Sequence, residues 1–120
     1  RLETSSAGID LPETISSQAT GIVLIFTPYN SSTGLADDTK CMPFFISKKA
    51  IEYARATNNL SNPLYTFFLM DKADFSTIGS KSVYIGDQRI AGYNTNTQSG
   101  TTNGITFDNN KFCLRTILGV

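Results

Sequence analysis

The densest apolar run in this chain is Ile22-Val23-Leu24-Ile25-Phe26, opened by Gly21 and closed by Pro28-Tyr29-Asn30. Unbroken β-branched content predicts a central strand covered on both faces. Lys40 to Ser47 returns to strand, with Cys41, Phe44, Phe45 and Ile46 as its apolar content, and Pro43 assigns it to an edge or a bulge. Leu64-Tyr65-Thr66-Phe67-Phe68-Leu69-Met70 is a further strand, aromatic enough to belong to the core. Val83 to Ile90 and Ile105 to Leu118 alternate as antiparallel strands do, and a turn at Asp108-Asn109-Asn110 folds the second. In the last strand Phe112, Leu114 and Thr116 share one face, while Cys113, Arg115 and Ile117 share the other. An arginine between apolar neighbours predicts a polar cover over that second face, which a neighbouring subunit would supply.

Between these strands lie polar connections. Ser31 to Asp38 reads as a solvated turn, and Asp71 to Lys81 as a connection folded back onto the body by Phe75 and Ile78. Ser47 to Ala56 is the one helical segment, with Ser47 as cap and Ile51 and Ala54 on a common face; Asn58-Asn59 and Pro63 end it. Residues 1–20 hold one apolar knot, Ile9, Leu11 and Ile15, and predict an edge strand or connector ahead of a head domain over 21–120. The fold class that follows is all-β: an antiparallel β-sandwich or partly closed barrel of about seven short strands with at most one short helix.

Composition narrows the chemistry. The chain has 120 residues, enough for a single core. It balances 10 Lys and Arg against 10 Asp and Glu, so no excess cation drives nucleic-acid binding. Histidine is absent, which removes the usual general base, zinc ligand and neutral-pH switch. There is no apolar run of membrane length, so membrane insertion is not expected; the start at Arg1 predicts a processed or truncated piece of a longer chain.

Candidate sites are few. Asp37-Asp38 and Asp71/Asp74 are the only neighbouring carboxylates considered for glycoside chemistry, and in such Ser/Thr/Gly-rich surroundings they read as turn formers. No serine has a histidine to activate it, no Gly-rich loop precedes Lys48 and Lys49, and neither a cofactor nor a metal site is expected. Asn94 to Asn103 is a polar run without charge beside Tyr93, which reads either as a plain hairpin loop or as a saccharide-recognition surface. On the second reading the contact residues are Tyr93, Asn94, Asn96 and Gln98, with Arg55 and Asn58 beyond the helix. Cys41 and Cys113 admit buried reduced thiols, a disulfide stabilising by roughly 4 kcal/mol, or, remotely, a metal site.

The runs Gly21 to Tyr29, Phe44 to Lys48, Val83 to Gly92 and Gly104 to Asn109, with Phe112-Cys113-Leu114-Arg115 and the closing Gly119-Val120, resemble a C-terminal module of bacteriophage fibre, baseplate and related structural proteins. The resemblance spans residues 21–120. It implies a non-enzymatic, distal β-rich head on a virion fibre, a homotrimer at the virion surface that attaches to a bacterial surface glycan or protein receptor. For such a trimer, Arg115 and Ile117 are the expected interface residues. Three other classes fit the pattern: an exported pilin-like or adhesin domain with Cys41 and Cys113 bridged, a purely structural head-decoration or trimerisation domain, and a glycan hydrolase.

Overall fold

The computed structural model describes residues 2, 6–58, 61–71 and 76–120, with the side chain of Asn58 excluded. Phe75 and Asp74, to which roles were assigned above, lie outside the described residues. The chain is all-β with one helix. Its strands are β1 (Gly8–Asp10), β2 (Gly21–Asn30), β3 (Leu35–Ala36), β4 (Met42–Ser47), β5 (Leu64–Met70), β6 (Ile78–Ile85), β7 (Arg89–Ala91), β8 (Ser99–Thr102), β9 (Ile105–Asp108) and β10 (Phe112–Gly119). The helix, α1, spans Lys48–Asn58.

Two antiparallel sheets make an open sandwich. One runs β1-β7-β6-β5; in the other β2 lies between β10 and β4, with β3 pairing its far end. The long apolar run is thus central, and β4, carrying Pro43, is an edge strand as read from the sequence. The inward side chains Ile22, Leu24 and Phe26 of β2 meet Phe67 and Leu69 of β5, Val83 and Ile85 of β6, Ile90 of β7 and Phe112 of β10. Phe26, Phe44 and Phe67 join the two sheets, with ring centroids 5.0–5.8 Å apart.

Several local expectations hold for local reasons. The Ser47 hydroxyl accepts the Ala50 N–H at 3.0 Å, capping α1, and Ile51 anchors the helix in the core. Gly21 opens β2 at φ 155°, where a Cβ would stand 2.2 Å from the Ile46 carbonyl oxygen. Asn103 and Gly104, both at positive φ, turn β8 into β9.

Other expectations are corrected. Val83 to Ile90 is not one strand: Gly86-Asp87-Gln88 breaks it into the β6–β7 hairpin, with Gly86 N–H donating to the Arg89 carbonyl at 2.9 Å. The first segment does more than connect, because Ile15 is buried in the common core and Leu2 packs there too. Cys41 is exposed just ahead of β4, Cys113 is buried in β10, and both are free thiols, so the bridged reading does not describe this structure.

The last strand also departs from simple alternation. A bulge at Arg115 shifts the register between Leu114 and Thr116, so Phe112, Leu114 and Ile117 all turn toward the core. Ile117 therefore does not face outward as an interface residue; Leu118, opposite Val23, takes that face. The polar cover for Arg115 comes from within the chain, since its Nε and a terminal nitrogen donate to the two oxygens of Asp38 at 2.7 and 3.2 Å.

The central strand is not covered on both faces. Outward on this sheet, Leu118, Val23 and Phe45 form one row and Thr116, Ile25 and Pro43 the next. Phe45 is 58% exposed and Leu118 47%. The other sheet carries its own outward apolar patch on edge strand β5, where Leu64, Phe68 and Met70 share a face and Phe68 is 83% exposed.

Candidate functional site

The polar stretch after β7 is built around the free edge of β6. Strand β7 pairs β6 only at Tyr84 and Ile85, which leaves the backbone groups farther along that edge unpaired by a strand. Two asparagine side chains take them up. Ser82 N–H donates to Asn96 Oδ1 at 2.7 Å, and Asn96 Nδ2 donates to the Ser82 carbonyl and the Leu2 carbonyl, each at 2.8 Å. Asn109 Oδ1 likewise accepts from Ser80 N–H at 2.7 Å, while its Nδ2 donates to the Thr95 carbonyl. A side-chain amide has one donor and one acceptor group in the geometry of a peptide, so it continues a ladder where no strand runs.

Asn96 is fully buried, and its carbonyl also accepts from the buried Lys81 ammonium. It is therefore not a ligand contact but a structural residue. Asn94 and Gln98 remain exposed on either side of it. Tyr93 is half-buried, its ring edge-on to Tyr84 at 5.8 Å. Of the four residues assigned to a recognition loop, Asn94 and Gln98 are the fully accessible ones.

Arg55 stands elsewhere, at the end of α1. Its Nε donates to the Ser61 carbonyl at 3.2 Å and a terminal nitrogen lies 3.9 Å from Asp87. Its other terminal nitrogen and the Tyr65 hydroxyl are both buried with no hydrogen-bond partner among the described residues. Beside them opens a polar cleft of about 400 Å³ lined by Asp10, Asn62, Asp87 and Arg89 among others. The side chain of Asn58 lies outside the described residues.

A further cleft, of about 740 Å³, carries no local mark in the sequence. It lies along the β2–β3 turn and is lined by Pro28, Tyr29, Asn30, Ser31 to Thr33, Leu35, Ala36, Asp37, Asp71 and Lys111. The two carboxylate pairs considered separately in the sequence converge here through one member of each. The Lys40 ammonium lies 3.4 Å from Asp37 and 3.2 Å from Asp71. Local geometry holds the frame: Asn30 Oδ1 accepts from Ser32 N–H and Thr33 N–H, and Asp37 Oδ1 from the N–H and hydroxyl of Thr39.

No family model, curated protein or solved structure matches this chain. The reading of the site therefore rests on its chemistry.

Among the described residues, three carboxyls lie below their ordinary value near 3.8. Asp37 is lowered first by the Thr39 hydroxyl and N–H, then by Lys40; Asp38 is lowered by its hydrogen bond to Arg115. Burial pushes Asp87 up, and the Ser16 hydroxyl, the Ser16 N–H and Arg55 together outweigh it. Lys40 is raised above its ordinary value by Asp71. A lowered carboxyl favours the folded chain at all pH above its ordinary value and gives that up as pH falls through the folded value. A raised ammonium loses its contribution only at alkaline pH. With no histidine to titrate between, the melting temperature should be level from about pH 5 to about pH 8 and fall below about pH 4. A midpoint near neutrality in the melting temperature against pH would contradict this.

Proposed function

We propose that this domain is a non-enzymatic head of a virion fibre, trimeric and used for attachment to a bacterial surface glycan. The observation that carries the reading is the open outer face of the β2 sheet. The central strand has the composition of a strand covered on both sides, yet on one side Phe45, Leu118 and Pro43 stand exposed around Val23 and Ile25. The cover that such a strand requires is supplied by another copy.

A second apolar patch, on β5, looks out from the other sheet. Two different patches on one subunit suit a heterologous contact, which closes into a ring rather than a two-fold dimer. Equal numbers of acidic and basic residues let copies approach without net repulsion. The paired and hydrogen-bonded states of Asp37, Asp38 and Asp71 favour binding over acid–base work.

Light scattering tests the assembly and cell adsorption tests the attachment. The native protein at about micromolar concentration should show three times the 13.1 kDa chain mass, with or without reductant. It should also sediment with some members of a panel of bacterial cells. A single-chain mass overturns the trimer, and failure to adsorb to any cell in the panel overturns the attachment role.

A further inference from the structure

We infer that the cleft along the β2–β3 turn is a saccharide site, and that its ligand is an uncharged sugar held through neighbouring hydroxyls at the Asp37–Lys40–Asp71 triad. The inference rests on the fibre-head reading for its biological setting and on this cleft alone for its chemistry.

The charge balance sets the ligand class. Among the described residues Asp37, Asp71 and Lys111 line the cleft, and Lys40, just outside that lining, pairs with both carboxylates. Lys40 sits between the carboxylates, in the position a bound cation would take, and it neutralises them in place. A free anion would find two carboxylates in its way, and a free cation would have to displace an ammonium. A neutral ligand meets neither cost.

The hydrogen-bonding inventory sets the chemistry within that class. Carboxylates accept from sugar hydroxyls and an ammonium donates to them, so a carboxylate–ammonium–carboxylate row matches the alternating donor and acceptor roles of a vicinal diol. These groups are held by the protein and still reachable: the Lys40 side chain is 45% exposed, Asp37 39% and Asp71 23%. With its Oδ1 used within the turn, Asn30 has its amide NH₂ left to donate, and Ser31, Ser32 and Thr33 add hydroxyls along the rim. Tyr29 and Leu35, the latter 68% exposed, supply the apolar surface that C–H faces of a sugar ring need. Affinity per site should be weak, with a Kd of about 1 mM, and three sites on one fibre would raise the avidity without new contacts.

The test is an NMR titration of the isotopically labelled native protein with tetrasaccharides of glucose, galactose and N-acetylglucosamine, and with a sialylated trisaccharide as the charged comparison. At least one neutral sugar should give saturable shifts at the amides of Tyr29 to Asp37, Lys40 and Asp71, with Asn94 and Gln98 unmoved. Asp71→Asn and Lys40→Met should each weaken that binding at least about tenfold while the melting temperature stays near that of the parent. Saturable shifts confined to Asn94 and Gln98, preference for the sialylated sugar, or no saturable shift up to about 20 mM would each overturn the inference. Adsorption to cells without sugar shifts removes the cleft and leaves the fibre-head reading. Sugar binding in the cleft without adsorption does the reverse.

Discussion

Replacing Asn96 by alanine lowers the melting temperature by roughly 10 °C at fixed protein concentration. The side chain is fully buried and supplies three hydrogen bonds, to Ser82 N–H, the Ser82 carbonyl and the Leu2 carbonyl. Alanine leaves the buried Ser82 N–H and carbonyl without this partner, while the Leu2 carbonyl keeps the Tyr93 N–H at 3.1 Å. Unsatisfied buried polar groups cost about 1–3 kcal/mol each, partly relieved by relaxation, so a net loss of about 2–4 kcal/mol is expected. For a domain of this size that is roughly 10 °C. Gln98→Ala, two residues along the same polar run but exposed, serves as the control and should move the melting temperature by no more than about 2 °C. Equal melting of Asn96→Ala and the parent would show that the amide is not acting as a substitute strand.

Placing a charge on the open face of the β2 sheet should break the assembly without unfolding the subunit. Leu118→Asp and Phe45→Asp lie in one row across β10, β2 and β4, flanking Val23, and neither fills the core. In the single chain both positions are about half exposed, so a carboxylate there can stay hydrated. In the proposed trimer each is covered, and an unpaired charge in a closed apolar contact costs several kcal/mol, repeated at every interface. The expected result is a single-chain mass by light scattering with an unchanged far-ultraviolet circular dichroism spectrum. A variant that keeps the parent's mass would place the interface elsewhere. Arg115→Ala, by contrast, should leave the mass unaltered, because Arg115 already has Asp38 as partner in its own chain.

Much of the framework was legible in the residues because it is set locally. The β-branched run at Ile22 to Phe26 specifies the central strand, Pro43 confines its neighbour to an edge, Ser47 caps the helix, and Asp108 to Asn110 turns the chain into β10. Each of these follows from backbone sterics or from a hydrogen bond within a few residues. The Gly86-Asp87-Gln88 turn was equally local; the alternation on either side of it read as one strand because a tight hairpin preserves the alternating pattern.

The site was legible only in fragments. Asp37 and Asp71 each stand near another aspartate in the sequence, but nothing near either one marks Lys40 as the group that joins them, and Lys40 and Asp71 are 31 residues apart. Asn96 was read as a surface amide because its neighbours are polar, and local polarity carries no sign of which asparagine a free strand edge will capture 14 residues away.

Local chemistry alone specifies the central strand, the proline-bearing edge strand, the capped helix and the turn into β10, in an all-β chain with one short helix and no net charge. Which distant groups meet is set by the packing of the whole chain. The bulge at Arg115 turns Ile117 inward and Leu118 outward, the unpaired edge of β6 draws in Asn96 and Asn109, and the β2–β3 turn brings the two aspartates to one lysine. Periodicity and turn chemistry act over a few residues, whereas pairing register and the demand to satisfy every buried polar group act across the whole fold.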